Sequence, residues 1–299
     1  MRCSICGEEM DSPLPSWFPE FAQCPLCTGH FAIGPAVAAY GGEYFRESAV
    51  PSFLARIFQL VLNVFLALRV RQIRKTLTPG QHAQRILDYG AGSGALVRAL
   101  RERGYNAVGY EPSAAAVAIA RGAGLPISAE VPAGPFDIIM FWQSLEHVDD
   151  PLAVIQKAAS MLKPTGRFIV AVPNAASWEA VIAGDRWFHY DYPFHRIQFT
   201  PKAVRTMLAA AGFRVLQSDF FNPEYTVSGM TQTFLNLFLP KNALYGVLTH
   251  RRVGAGLPAI SMSLAAVVIA SPFLALTFFL ALASKKTGAL IVVAGRRED

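Results

Sequence analysis

The chain has 299 residues and a formal net charge of +6, with 53% hydrophobic and 16% charged residues. This length holds one α/β domain with additions, and the composition is apolar for a soluble enzyme. We expect no nucleic-acid partner, because the basic residues cluster beside apolar segments, as at Arg69, Arg71, Arg74 and Lys75. Such flanking suits the anionic cytoplasmic face of a membrane; a merely solvated surface is the alternative.

All four cysteines lie near the start, as the pair Cys3 and Cys6 and the pair Cys24 and Cys27. Two C-x-x-C pairs at this separation are typical of a ribbon in which four thiolates hold one structural zinc ion. Disulfides or a redox dithiol are the alternatives, but disulfides need an oxidising compartment, and no signal sequence follows Met1. His30 is close enough to compete as a ligand. We predict a zinc ribbon in residues 1–32.

Residues 33–80 are predicted to form a linker and then an apolar helix. Residues 51–70 are apolar nearly all round the helix, interrupted by Arg56, Gln59 and Asn63. The segment is just long enough to cross a bilayer. The polar residues favour a helix at the membrane interface; a core helix is the alternative.

A glycine-rich loop follows the short apolar run that ends at Asp88. Gly90, Gly92 and Gly94 stand on alternate positions before a helical pattern, which predicts a strand, a tight loop and a helix N-terminus. Glu111 ends the next apolar run, where a carboxylate accepts hydrogen bonds from ribose hydroxyls. This pattern fits NAD as well as S-adenosylmethionine. Asp88 favours the methyl donor, because its charge would repel a pyrophosphate.

Further strands alternate with helical patterns, which predicts a parallel, doubly wound sheet. The strand at 136–141 leads into Glu-His-Val-Asp-Asp-Pro at 146–151, and Lys-Pro-Thr-Gly at 163–166 turns into the next strand. In this order the segments resemble class I S-adenosylmethionine-dependent methyltransferases of the ubiquinone-biosynthesis type. The resemblance covers residues 84–221 and 288–296, and it implies an α/β fold with a seven-stranded Rossmann-like sheet.

The resemblance also implies S-adenosylmethionine as cofactor. The glycine loop would hold its methionine end, Glu111 its ribose, and the residues after the third strand its adenine, while the fourth strand ends at the site. The cofactor-binding residues implied are Asp88, Gly90, Gly92, Gly94, Glu111, Ala129, Glu130 and Gln143.

Methyl transfer requires a nucleophile placed in line with the sulfonium methyl, and oxygen or carbon nucleophiles often need a base. The family often carries Asp-x-Pro-x-His after the fifth strand, and Asp191, Pro193 and His195 match that pattern. His195 paired with a carboxylate is one candidate base, and His147 is another. A structural histidine in a lid or turn is the alternative for each. The sequence shows no ligand set for a catalytic metal ion.

Residues 222–287 are predicted to be an insertion between the last two strands, at 213–220 and 288–295. Within it, residues 257–283 carry no charge. Both strands must join one sheet, so a single membrane crossing would separate them. We therefore predict that the segment folds back at Pro272 and dips into one leaflet as a hairpin. An oligomer interface is the alternative.

The predicted regions are thus a zinc ribbon at 1–32, a linker and helix at 33–80, a methyltransferase domain at 81–221 and 288–299, and a membrane-associated insertion at 222–287. We expect a methyltransferase at the cytoplasmic face of a membrane that methylates oxygen or carbon of a lipid-like or polyprenyl-linked substrate. A soluble sugar or small-molecule methyltransferase and a non-catalytic cofactor-binding scaffold are the alternatives. The oligomeric state stays open, and a homo-oligomer is possible.

Overall fold

A computed structural model describes residues 2–9, 14–35, 52–76, 84–242, 245 and 257–297. Parts of the predicted linker, 36–51 and 77–83, lie outside the described residues, as do 246–256 of the insertion. The strands are β1 (Leu14–Pro15), β2 (Phe21–Gln23), β3 (His30–Ala32), β4 (Arg85–Tyr89), β5 (Asn106–Tyr110), β6 (Ile127–Ser128), β7 (Phe136–Trp142), β8 (Leu162–Pro173), β9 (Ile197–Gln198), β10 (Phe213–Asp219) and β11 (Ala289–Arg296). The helices are α1 (Ser52–Arg74), α2 (Ala95–Arg101), α3 (Ala114–Gly122), α4 (Pro151–Ser160), α5 (Trp178–Ala183), α6 (Pro201–Ala210), α7 (Pro223–Phe238) and α8 (Leu257–Ala283).

The larger sheet has seven strands in the order β10-β11-β8-β7-β4-β5-β6. The strands β6, β5, β4, β7 and β8 are parallel, and β11 runs antiparallel between β8 and β10. This is the doubly wound methyltransferase sheet that the sequence predicts. The order brings the carboxyl ends of β4, β5 and β7 to one edge, where ligands bind in open α/β sheets.

Both faces of this sheet are buried, because alternate residues of each strand point to opposite sides. In β7, Ile138 and Met140 join the core that α1 and α2 cover, whereas Ile139 and Phe141 join the core on the other face. The last turns of α1 belong to the first of these cores through Val70 and Ile73, each 1% exposed. This part of α1 therefore packs as a core helix, the alternative that the sequence left open.

Helix starts in this domain follow their capping residues. The Thr200 hydroxyl accepts a hydrogen bond from the Ala203 amide, and Pro201 occupies the first turn of α6. Asp150 caps α4 in the same way, ahead of Pro151. These caps fix where each helix begins beside the sheet edge that carries the candidate site.

The hairpin of β10 and β11 encloses α7 and α8, so the insertion lies where the sequence places it. The predicted reversal at Pro272 is wrong: α8 continues through this residue from Leu257 to Ala283. A proline removes one helix hydrogen bond and adds a local clash, but it does not by itself reverse the chain. Among the described residues, no helix combines the length and apolar character that a membrane crossing requires.

A second, smaller sheet has the order β1-β2-β3-β9. Its first three strands come from the cysteine-rich N-terminus, and β9 comes from the segment that follows β8 and α5. Cys3, Cys24 and Phe31 join the same core as Phe199 and Met207 of the methyltransferase domain. The N-terminal region is therefore packed on the catalytic domain rather than tethered beside it.

Candidate functional site

The glycine loop leaves β4 at the edge where the parallel strands end. Gly90, Gly92 and Gly94 have φ of 92°, 54° and 87°, a backbone region that side chains disfavour. A Cβ on Gly90 would lie 2.4 Å from Cβ of Ser144. The loop therefore needs glycine both for its conformation and for its approach to the end of β7.

Two buried carboxyl groups flank this loop. Glu111 accepts hydrogen bonds from the amides of Gly92 and Ser113, both at 2.9 Å, so it holds the loop against the end of β5. Asp88 is 4% exposed, and burial raises the pKa of its carboxyl to about 7, while Arg69 acts in the opposite direction. A cationic group bound beside Asp88 would stabilise its ionised form.

Arg69 is a site residue that the sequence analysis did not identify. It projects from α1, pairs with the Glu224 carboxylate, and lies over the rings of Trp142 and Tyr225 at 5.7 and 5.4 Å. From the sequence, Arg69 is one of the basic residues expected to flank a helix at the membrane. Its position after an apolar stretch gives no signal of a contact with α7, which lies more than 150 positions later in the chain.

The other cofactor residues implied by the resemblance lie along the same edge. Gln143 follows β7 with φ of 54°, an unusual value for a residue other than glycine. The Ser144 hydroxyl donates to the Tyr89 carbonyl at 2.6 Å, which joins the ends of β7 and β4. Ala129 and Glu130 follow β6 and are exposed. The chain thus forms a continuous cradle from β4 to β6 and β7.

His147 and His195 form the second part of the site. Nδ1 of His147 lies 3.1 Å from the Phe194 carbonyl oxygen, and Nδ1 of His195 lies 2.8 Å from the His189 carbonyl oxygen. Because a carbonyl only accepts, each Nδ1 carries the proton and each Nε2 carries the lone pair. Burial lowers the pKa of both imidazoles. Both rings are therefore neutral and fixed in a tautomer that can accept a proton at Nε2.

The carboxyl group of Glu146 lies against these two imidazoles. Ligand atoms of Glu146, His147 and His195 all lie within 4.8 Å of one another. Neither carboxyl oxygen of Glu146 has a hydrogen-bond partner among the described residues, and burial raises its pKa to about 8. No second metal-ligand set is predicted from the sequence, yet these three groups have the chemistry to hold a divalent cation. Glu146 and His147 lie far from His195 in sequence, so spacing does not reveal the cluster.

Asp191, the predicted carboxylate partner, contacts this cluster differently. The His195 amide donates to the Asp191 carbonyl at 2.9 Å, and the Asp191 charge raises the pKa of His147, opposing the effect of burial. The two histidines and Asp191 are therefore close together, with Asp191 acting on His147 through its charge.

The four cysteines converge. Sγ of Cys3 lies 3.7 Å from Sγ of Cys27, and Sγ of Cys6 lies 3.7 Å from Sγ of Cys24. A disulfide needs about 2.05 Å, whereas sulfurs placed about 2.3 Å from a tetrahedral zinc ion lie about 3.8 Å apart. The four groups therefore fit a zinc ion. His30 stands outside this set: it is fully buried and its Nδ1 bonds the Ser16 hydroxyl at 2.7 Å.

An apolar cavity of about 310 Å³ lies between α5, α7 and α8. Aromatic and aliphatic side chains line it, among them Phe234, Phe273 and Phe278, and the Glu179 carboxyl is its one acidic group. Burial raises the pKa of Glu179 to about 8. The cavity therefore offers a mostly apolar interior, with Glu179 and Lys286 among the residues that line it.

The sheet and its glycine-rich edge define a class I S-adenosylmethionine-dependent methyltransferase. Residues 56–218, more than half of the chain, match the family described as "Methyltransferase domain", and the chain belongs to that family.

The relatives of this chain include two proteins named for ubiquinone biosynthesis, and the solved structures similar to it include two methyltransferases. The ubiquinone biosynthesis O-methyltransferase of Cronobacter sakazakii is 31% identical over 120 residues, 35% of this chain and 49% of that protein. The protein of the same name from Bordetella avium is 26% identical over 194 residues, which are 57% of this chain and 80% of that protein. For the relatives from Cronobacter sakazakii, Xylella fastidiosa, Pseudomonas aeruginosa and Marinobacter nauticus, the match spans about half of the relative's length. A methyltransferase structure from Mesorhizobium loti has a TM-score of 0.45 at 17% identity, and the match covers 75% of this chain and 95% of that one. A methyltransferase structure from Archaeoglobus fulgidus has a TM-score of 0.47 at 15% identity, and the match covers 77% of this chain and 93% of that one.

Proposed function

We propose that this protein transfers a methyl group from S-adenosylmethionine to a hydroxyl or carbon acceptor on a lipid-like or polyprenyl-linked molecule at a membrane surface. One observation carries the proposal: the glycine cradle of β4 and the cluster of His147 and His195 meet at the same edge of the sheet. Cofactor binding by titration calorimetry, followed by release of S-adenosylhomocysteine with a membrane lipid extract, tests it. Binding without release would favour a scaffold.

The cofactor-binding residues act on separate parts of the ligand. Bound S-adenosylmethionine supplies a sulfonium methyl group that is open to nucleophilic attack. Asp88 and the loop of Gly90, Gly92 and Gly94 hold the methionine end, and Arg69 lies where it balances a carboxylate there. Glu111 takes the ribose, Ala129 and Glu130 border the adenine, and Gln143 lies beside the methyl group.

His195 and His147 supply the proton chemistry in this proposal. A neutral imidazole with its lone pair on Nε2 would take the proton from an acceptor hydroxyl while the methyl group passes from the sulfonium sulfur to that oxygen. The carbonyl groups of His189 and Phe194 hold the rings in this tautomer. A divalent cation held by Glu146, His147 and His195 is the second possible role of this cluster, because it would lower the pKa of a bound hydroxyl.

The lipid-like acceptor is supported by the cavity and by the names of relatives. Relatives are called ubiquinone biosynthesis O-methyltransferases, and the cavity lies beside α7, whose Tyr225 contacts Arg69 at the site. A cavity of about 310 Å³ holds roughly ten methylene groups at liquid-like volume. Initial rates on a hydroxylated ring with and without a polyprenyl chain test this: we expect a lower KM for the prenylated compound.

Action at a membrane surface is proposed because the helices around the cavity, α5, α7 and α8, carry exposed apolar side chains. Ile182 of α5, Phe238 of α7 and Phe279 of α8 are 75%, 74% and 64% exposed, an exposure that marks an interaction surface when it recurs on neighbouring helices. Flotation with vesicles of anionic phospholipid tests the proposal. Recovery of a monomer in the vesicle-free fraction would instead favour a soluble small-molecule enzyme.

Zinc is proposed as a structural ion held by Cys3, Cys6, Cys24 and Cys27. Its support is the separation of 3.7 Å within each sulfur pair. With four thiolates bound, the ion has no open position for water. Metal analysis of the purified protein tests this assignment, with one zinc ion per chain as the expected result.

A further inference from the structure

We infer that the metal-loaded N-terminal ribbon (residues 2–9 and 14–35) positions the histidine segment (residues 187–200), and so holds His195 in place for catalysis. The inference rests on the proposed function, because it takes the zinc site and the role of His195 from it. It adds that the zinc site serves the catalytic site through direct contacts rather than only stabilising its own small domain.

The first connection is a shared sheet. Strand β3 of the ribbon pairs with β9 of the histidine segment, with His30 opposite Gln198 and Phe31 opposite Ile197. The Ala32 amide donates to the Arg196 carbonyl at 2.9 Å, which extends the pairing to the neighbour of His195. In the described chain, β9 lies at the edge of this sheet and β3 is its one strand partner.

The second connection is an aromatic core between the two segments. Phe18 stacks on Trp187 and on Tyr190, with ring centroids 5.9 and 5.5 Å apart, and Phe21 contacts Tyr190 edge to face. Phe18 and Trp187 are fully buried. The histidine segment therefore buries its first turn against ribbon side chains, and losing that surface would expose large aromatic rings to water.

The third connection is Arg196, the residue next to His195. Its guanidinium donates to the Gly34 carbonyl at 2.7 Å and to the Asp149 carboxylate at 2.8 Å. Its amide donates to the Glu146 carbonyl at 2.7 Å. Arg196 thus joins the end of the ribbon to the segment that carries Glu146 and His147. The positions of His147 and His195 therefore both depend on the contacts of Arg196.

Metal loading matters because the ribbon has little structure of its own. Its strands have two or three residues each, and segments this small are usually folded by a bound metal or by disulfides. Thr28, directly after Cys27, shares a hydrogen bond of 2.8 Å with Thr200. Removing the metal therefore frees the residues that contact the histidine segment.

Hydrogen exchange of the full chain, read by mass spectrometry, tests the inference. In Cys6→Ser we expect loss of zinc, faster exchange in residues 187–200 by about tenfold or more, and lost methyl transfer. Exchange in β4 and cofactor affinity should stay near the wild-type values, because the glycine cradle lies outside the ribbon contacts. Leu26→Ala, at an exposed ribbon position, is the matched control and should change none of these.

A second variant covers the case in which Cys6→Ser does not fold. Phe18→Ala keeps all four cysteines; we expect it to retain zinc and still show faster exchange in residues 187–200. Unchanged exchange there, in Phe18→Ala or in zinc-free Cys6→Ser, would overturn the inference and leave the proposed enzyme intact. Wild-type protein that holds no zinc would contradict the proposed zinc site, and the inference would fall with it.

Discussion

The imidazole rings of His147 and His195 meet edge to face, with centroids 4.7 Å apart, at the end of the sheet where β7 stops. Each ring is fixed by a hydrogen bond from Nδ1 to a backbone carbonyl. Two neutral imidazoles held in one tautomer beside the buried Glu146 have the chemistry for the proposed proton transfer or for cation binding, and both proposed uses need His195.

Replacing His195 tests this role. In His195→Ala we expect kcat to fall by about 10²-fold to 10⁴-fold, the usual contribution of a general base, while affinity for S-adenosylmethionine changes little. Single-turnover rates and titration calorimetry measure the two effects separately. Full activity in His195→Ala would remove this residue from the mechanism.

The affinity for the cofactor should depend on pH through Asp88. Burial raises the pKa of this carboxyl to about 7 in the cofactor-free protein, and the proposed function has its ionised form bind the cationic ammonium of the cofactor. Below this pKa the carboxyl must release a proton on binding, so affinity falls by up to about tenfold per pH unit. Calorimetry between about pH 8 and pH 6 measures the slope. Asp88→Asn should bind weakly with a flat profile; an equal slope in this variant would contradict the assignment.

Two glycines with similar backbone conformation separate strain from ligand contact. Gly90 and Gly104 have φ of 92° and 84°, but a Cβ would meet Ser144 at Gly90 and nothing within 4 Å at Gly104. Both alanine variants should lose about 1–2 kcal/mol of unfolding free energy from the left-handed backbone, and Gly90→Ala should lose more because its Cβ would meet the Ser144 side chain. We expect only Gly90→Ala to lose more than about tenfold in cofactor affinity as well. Equal affinities in the two variants would show that the loop does not hold the cofactor.

Filling the apolar cavity tests the acceptor site. Met230 of α7 lines the cavity, whereas Val227 on the same helix is exposed and does not line it. Met230→Trp should raise KM for a prenylated acceptor by about tenfold or more and leave KM for the chain-free ring unchanged. Val227→Trp adds the same side chain outside the cavity and should change neither. A KM for the prenylated acceptor that is unchanged in Met230→Trp would place its chain elsewhere.

Much of the fold follows from local sequence signals. The glycine loop, the capping residues Thr200 and Asp150 and the apolar run that forms β11 each leave a pattern within a few residues. The alternation of strands and helices is predictable from such patterns, whereas the seven-stranded sheet is implied by the resemblance to methyltransferases. The reversal at Pro272 was predicted wrongly, because one proline weakens a long helix without ending it.

The site is less readable, because its key contacts join distant parts of the chain. Arg69 meets Glu224 and Tyr225, and neither contact leaves a spacing pattern. The pairing of β3 with β9 involves strands of only two or three residues, too short for a period of two to be recognised. The spacing of the cysteines predicts that their four sulfur atoms come together, as they do. It does not predict that the N-terminal ribbon lies against the histidine segment.

Release of S-adenosylhomocysteine is the most direct measurement of the central claim. The full chain, with anionic phospholipid vesicles that contain a hydroxylated ring carrying a polyprenyl chain, is incubated with radiolabelled S-adenosylmethionine. We expect methyl label in the lipid phase, one S-adenosylhomocysteine for each methyl transferred, and loss of both in His195→Ala. Tight cofactor binding with no label transferred to any prenylated or membrane-extracted acceptor would contradict the claim.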